Sequence, residues 1–203
     1  MGCYEGGWRR SMWIEAELKA VVRDPVGVRA ALRERAPETA NVYRDVYYDT
    51  PDLQYSRDGR EIRVRVVDDG AVSLLTFKDP SVDPVSGSKP EYETGVEDPV
   101  AMEAVLRKLG LQEVIRYEKR CRNYRISKSG LSLLATLVTI PELDGTFLEI
   151  EAVVEPDAVP GALRVIRQVM ADVGIGRGDL TTELYTEAVR RARSTTLGEH
   201  GRT

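Results

Sequence analysis

Hydrophobic residues recur along this chain at two spacings. In some stretches they alternate one for one with polar residues, the period of a strand with one buried face. In others they recur every three or four residues, the period of a helix. The sharpest alternation is Ile14-Glu15-Ala16-Glu17-Leu18-Lys19-Ala20, inside a first strand predicted over Met12 to Val22. Asp24-Pro25 predicts a helix start, a capping acid followed by proline at the first helical position. Val28, Ala31 and Leu32 form its apolar stripe, and Pro37 ends it. Val42 to Asp49 is rich in Val and Tyr and predicts a strand, broken by Thr50-Pro51-Asp52. Glu61 to Val67 alternates again, with Arg63 and Arg65 opposite Ile62, Val64 and Val66. Asp69-Gly70 predicts a hairpin into Val72 to Lys78.

A turn-rich loop follows, Asp79 to Ser88, then a strand over Glu91 to Val96. Asp98-Pro99 opens a second helix, whose Met102, Val105, Leu106 and Leu109 keep helical spacing until Gly110. Val114 to Ile126 predicts a strand dense in cations, turned by Gly130 into Leu131 to Val138. Asp144-Gly145 turns into Phe147 to Val154, which repeats the opening device with Glu149 and Glu151 on one face. Helices are predicted over Pro160 to Val173 and Thr182 to Arg193. About eight strands and four helices, joined mostly by hairpins, make a single α+β domain with a mainly antiparallel sheet. Its span is 12–193, with an N-terminal extension over 1–11 and a disordered tail over 194–203.

The 203 residues are enough for one well-buried core. No apolar run is long enough to span a membrane, and the first residues carry no apolar signal core. Met1-Gly2 lacks the Ser or Thr that myristoylation wants at position 6, which is Gly6, and Met12 is a second candidate start. The two cysteines, Cys3 and Cys121, have no metal or disulfide spacing, which suits the cytoplasm. The single histidine, His200, lies in the tail, so histidine triads and histidine metal sites are excluded from the fold. The net charge of −4 weighs against a nucleic-acid partner.

The charges sort by strand. Two strands carry Glu-x-Glu and a third carries Glu91 and Glu93, while others carry Arg-x-Arg or lone lysines. Carboxylates on neighbouring strands repel unless a cation sits between them, and clustered arginines repel unless an anion does. A closed sheet would place both sets around one cavity. The natural guest is a polyphosphate with its divalent cations, since Arg and Lys grip phosphate oxygens and Mg²⁺ takes hard oxygen ligands.

Taken in order, Glu15-x-Glu17-x-Lys19, Tyr47-Tyr48-Asp49-Thr50-Pro51-Asp52, Arg63-Val64-Arg65, Thr76-Phe77-Lys78, Lys89 with Glu91 and Glu93, Phe147-Leu148-Glu149-Ile150-Glu151 and Leu184-Tyr185 resemble the CYTH domains. These are also called triphosphate tunnel metalloenzymes, and they include class IV adenylate cyclases, thiamine triphosphatases and inorganic triphosphatases. The resemblance implies an eight-stranded antiparallel closed β-barrel, a tunnel, with flanking helices. It implies Mg²⁺ or Mn²⁺ held by Glu15, Glu17, Glu149 and Glu151, joined by Glu91 and Glu93 unless those two serve cross-strand pairing.

It assigns phosphate binding to Lys19, Arg63, Arg65, Lys78, Lys89, Arg120, Arg122 and Tyr185, with Glu15, Glu17, Lys19 and Lys78 at the chemistry. Lys89 has the alternative of an ordinary loop cation, and Tyr48 and Tyr185 of packing. Around Lys119-Arg120-Cys121-Arg122 either alternate pair can face in. Arg120 and Arg122 are favoured because that face keeps two cations. Family members often carry an acid ten positions before the first glutamate of the last pair, where this chain has Thr139.

The implied activity is metal-dependent hydrolysis of a nucleoside triphosphate, thiamine triphosphate or inorganic triphosphate. Cyclisation of ATP to 3′,5′-cyclic AMP and pyrophosphate uses the same cradle with the ribose hydroxyl as nucleophile. A binding module without turnover is the third reading, motivated by Thr139. The implied protein is cytoplasmic, a monomer or homodimer, without nucleic-acid or membrane partners.

Overall fold

The computed structural model describes residues 13–83 and 86–200, with side chains through Thr195. Eight strands close into an antiparallel barrel in the order β1-β5-β4-β3-β2-β6-β7-β8. They are β1 (Ile14–Val22), β2 (Glu38–Asp49), β3 (Glu61–Val67), β4 (Val72–Lys78), β5 (Lys89–Gly95), β6 (Gln112–Lys128), β7 (Leu131–Thr139) and β8 (Thr146–Val154). Helices α1 (Pro25–Arg33), α2 (Gln54–Arg57), α3 (Pro99–Lys108), α4 (Val159–Asp172) and α5 (Tyr185–His200) flank it. The β1–β8 seam runs nine residue pairs, whereas β1 meets β5 through only two. No helix among the described residues is long and apolar enough to cross a membrane.

The barrel is apolar outside and charged inside. On β1, Ile14, Ala16, Leu18 and Ala20 are buried with Leu148, Ile150 and Ala152 of β8 beneath Leu163, Ile166 and Met170 of α4. Each large aliphatic side chain buried there is worth about 1.5–3 kcal/mol. That outer burial fixes the strand phase, because a strand that turns its apolar residues outward must turn its alternate residues inward. Asp24 caps α1 by accepting the Gly27 amide at 3.0 Å, and Asp98 caps α3 by accepting Ala101 at the same distance. A second cluster sits under the other side of the barrel, where Leu106 of α3 packs on Val46, Tyr48, Ile62 and Val64.

Three boundaries depart from the pattern-based expectation. The Thr50-Pro51-Asp52 break contains α2, organised by the buried Asp49 carboxylate. Asp49 accepts the amides of Thr50 (2.7 Å), Tyr55 (2.9 Å) and Ser56 (2.9 Å), and the Ser56 hydroxyl (2.6 Å). β2 begins at Glu38, because Glu38 is tied to Arg29 of α1 and to Arg122 and Tyr124 of β6. The last helix starts later than expected, at Tyr185, and continues through the stretch read as a tail to His200. The extension over 1–11, with Cys3, lies outside the described residues.

Candidate active site in the tunnel

Alternate residues of every strand line a central cavity of about 450 Å³. β1 contributes Glu15, Glu17 and Lys19; β3, Arg63 and Arg65; β4, Lys78; β5, Lys89, Glu91 and Glu93; β8, Glu149 and Glu151. Tyr185, at the start of α5, closes in from one end. The acids and bases predicted on separate strands therefore share one hollow.

The acids divide into groups. Glu15, Glu17 and Glu151 each offer a carboxylate oxygen, and these lie within 4.8 Å of one another. Burial, then the charges of Glu149 and Glu15, push Glu17 up to about 7. Burial, then Glu15 and Glu17, push Glu151 well above the carboxylate range. Three carboxylates this close, buried or half-buried, are mutually repulsive unless a cation joins them, and an all-oxygen set suits Mg²⁺, Mn²⁺ or Ca²⁺. The triad fits a hard divalent metal. Lys78 bonds Glu15 and sits 2.8 Å from Glu91, and despite burial these acids hold its pKa well above the lysine range. Glu93 accepts the Thr76 hydroxyl at 2.8 Å. Glu149 stands apart from the triad, 3.7 Å from Lys119.

The cations are held in place from behind. Asp45 of β2, with a side chain that is 0% exposed, accepts Nε and Nη2 of Arg65, both at 2.7 Å, and lies 3.8 Å from Arg63. Burial alone would raise its pKa, but the Arg65 and Arg63 charges and the Arg65 hydrogen bonds hold it well below the usual range. Arg63 is half-buried, and its buried Nε–H has no hydrogen-bond partner, leaving a donor in the cavity wall. Lys89 bonds Glu61, and the Gly59 carbonyl at 3.1 Å. Lys19 and Lys119 both lie over the Tyr185 ring, 4.4 and 4.3 Å from its centroid. Burial lowers the Lys19 pKa; at Lys119 burial also pulls down, but Glu149, Tyr47 and Asp45 together outweigh it and raise the pKa.

The structure corrects the reading of β6. Tyr124 and Ile126 belong to the outer core, so the even-numbered residues face outward. Arg120 is 65% exposed and pairs with Glu118, and Arg122 is 44% exposed and pairs with Glu38. Lys119 and Cys121 face the cavity instead, and burial pushes the Cys121 thiol up to about 12. Thr139, paired with Arg120, also faces outward. The neighbouring inward residue is Val138, fully buried in an apolar cluster. Tyr48 packs under α3, and it is Tyr47 that lines the cavity.

Sequence reasoning missed Glu61 and Arg125, which line the cavity, and Asp45, which backs the arginines, and it ranked Lys119 behind Arg120 and Arg122. Asp45 left one signal, a lone acid in phase with Tyr43 and Tyr47 on a strand beside Arg-x-Arg.

Comparison with known proteins agrees with this architecture. A protein of Methanocaldococcus jannaschii named "Putative adenylate cyclase" is 24% identical over 86% of this chain and 97% of its own. The solved structure of the PH1819 protein of Pyrococcus horikoshii superposes with a TM-score of 0.76 at 26% identity, over 87% of this chain and 98% of that one. The Hippeastrum protein HpAC1, named a "putative adenylyl cyclase" that reveals a dominant triphosphatase activity, superposes at 0.62 with 18% identity, over 89% and 96%. The sequence profile of the CYTH domain matches residues 14–185. A charged tunnel through an eight-stranded barrel and a family match over the whole of that barrel lead to one assignment: the chain belongs to the CYTH domain family.

Proposed function

We propose that this protein is a metal-dependent enzyme that hydrolyses a triphosphate inside the tunnel. The observation that carries the proposal is a single cavity holding a carboxylate triad and at least five buried or half-buried cationic side chains: Lys19, Arg63, Arg65, Lys78 and Lys119. Phosphoryl transfer needs positioning and relief of charge more than covalent help.

In this reading Arg63, Arg65 and Lys119 bind phosphate oxygens from one side, and Lys19 from the end nearest Tyr185. Lys78 keeps Glu15 and Glu91 oriented at the cavity wall. Glu15, Glu17 and Glu151 would hold the divalent cation. When bound, that cation supplies charge neutralisation on the phosphate oxygens and a more acidic attacking water. The closed wall limits water around the reacting phosphate. The HpAC1 triphosphatase activity supports hydrolysis as the outcome.

A second reading is a class IV-type adenylate cyclase, favoured by the name of the Methanocaldococcus relative. Cyclisation would use the same cradle with the ribose 3′-hydroxyl in place of water. Incubation of the purified protein with ATP, thiamine triphosphate or inorganic triphosphate, with Mg²⁺ or Mn²⁺, separates the readings. Released phosphate identifies the hydrolase. Cyclic AMP with pyrophosphate identifies the cyclase. Tight binding with no product overturns both and leaves a binding module. A cytoplasmic location belongs to the same proposal.

A further inference from the structure

A groove of about 630 Å³, larger than the tunnel cavity, lies on the outside of the barrel. Helix α1 forms one wall. Val26, Arg29, Ala30 and Arg33 follow the i, i+3, i+4, i+7 spacing of one helix face, and all four line the groove. Val28 and Leu32, on the opposite face of α1, are buried in the outer core. The floor is the outer surface of β2, β6 and β7, the side of those strands turned away from the tunnel. Two rows cross it. Val42 pairs with Arg120 and Arg120 with Thr139; beside them Ala40 pairs with Arg122 and Arg122 with Leu137. The outer core claims Leu137, but Ala40, Arg120 and Thr139 stay exposed, and Val26 on the wall is 80% exposed.

Four arginines and one acid, Asp68, line this groove in a protein whose net charge is −4. Asp68 is already engaged, accepting the Val42 amide at 2.7 Å and the Asn41 side-chain amide at 2.5 Å. Arg29 and Arg122 share one oxygen of Glu38, at 2.7 and 2.8 Å. A guanidinium from the helix wall and one from the floor therefore meet with a single negative charge between them. Arg120 uses only Nε on Glu118, at 3.0 Å, and Glu118 is shared with Arg44. Arg33 has no partner among the described residues. Guanidinium forks match the oxygens of phosphate, and here their unused donors border an aliphatic surface.

We infer that the groove is a second ligand site, separate from the tunnel, for a phosphate monoester of about nucleotide size. The unused guanidinium donors take the phosphate, and Val26, Ala30 and Val42 take the organic body. Several guanidiniums with free donors suit a phosphate dianion better than a carboxylate, which offers one charge. The volume is that of a small-molecule site and falls short of a protein interface. The site stands whether or not the tunnel turns over a triphosphate.

The test is isothermal titration calorimetry of the full chain with a chelator present, so that no divalent metal links phosphate to the tunnel glutamates. The probes are adenosine 5′-monophosphate, octyl phosphate and orthophosphate. At least one ester should bind roughly tenfold more tightly than orthophosphate, which about 60 Å² of buried apolar surface supplies. The tighter ester shows whether the body is flat or aliphatic. The double variant Arg33→Gln/Arg120→Gln changes two exposed side chains and should weaken that ester at least about tenfold, the scale of a charge-assisted hydrogen bond. Val26→Asn should narrow the gap between ester and orthophosphate, and Lys119→Ala, in the tunnel, should leave ester affinity unchanged. Circular dichroism melts check that each variant is folded. Esters that bind no better than orthophosphate, or not at all, overturn the site. So does affinity that survives the double variant or disappears in Lys119→Ala, because the ester then sits in the tunnel.

Discussion

Replacing Asp45 with asparagine removes the one carboxylate that braces both arginines of β3. The wild-type group is wholly buried, with Arg65 bidentate at 2.7 Å and Arg63 at 3.8 Å, and the two arginine side chains are only 13% and 11% exposed. Breaking a buried pair by removing one partner costs about 3–5 kcal/mol when the remaining charge is stranded. Here the arginines keep a wet face in the cavity, so the cost is set lower, at about 2–3 kcal/mol. For a chain of this size each kcal/mol moves Tm by about 2–4 °C, so Asp45→Asn should melt roughly 4–12 °C below the wild type. Because the folded-state pKa lies below the ordinary 3.8, the wild-type advantage should be full above that value and fade as pH falls below it.

The assay is thermal unfolding followed by circular dichroism, with and without inorganic tripolyphosphate. The anion should restore more Tm to Asp45→Asn than to the wild type, because phosphate oxygens replace the missing carboxylate between the arginines. A loss below about 2 °C, or equal stabilisation of both proteins by the anion, would refute the bracing role.

The remaining predictions concern metal, register and pH. Glu15→Gln or Glu151→Gln should stay folded and lower metal-dependent turnover by at least about 100-fold; unaltered turnover in both sinks the triad as a metal site. Lys119→Ala should lower kcat/KM for a triphosphate by about 100-fold, while Arg120→Ala and Arg122→Ala leave it within about twofold; the reverse ranking would overturn the strand phase. Glu17 and Glu151 have folded-state pKa values above the ordinary 4.5, so without metal their contribution to stability falls as pH rises above that value, the Glu17 part being lost by about pH 7. Mg²⁺ must displace those protons, so the Tm gain from Mg²⁺ should widen from about pH 5 to about pH 8, and a pH-independent gain counts against the assignment.

The acid and base patterns were legible because a strand has a period of two. Glu15, Glu17 and Lys19 share a face in any strand that contains them, and so do Arg63 and Arg65. The capping acids Asp24 and Asp98, each ahead of a proline, marked two helix starts without reference to the rest of the molecule. Local chemistry of this kind needs only neighbours in sequence.

Which face of a strand turns inward is another matter. β6 carries charges in both phases, and counting cations favoured the Arg120/Arg122 face, but the outer core decided for Lys119 by claiming Tyr124 and Ile126. The same cause turned Thr139 outward and Val138 inward. Asp45 gained its role only when β2 paired with β3 and set it opposite Arg65. The division of the glutamates into a triad and the separate Glu149 likewise depends on distances across the closed barrel. The sequence by itself determined which residues travel together along each strand, since that follows from backbone geometry. Only closure of the sheet decided which of them meet, because contact between strands far apart in the chain is set by the burial of the whole outer surface.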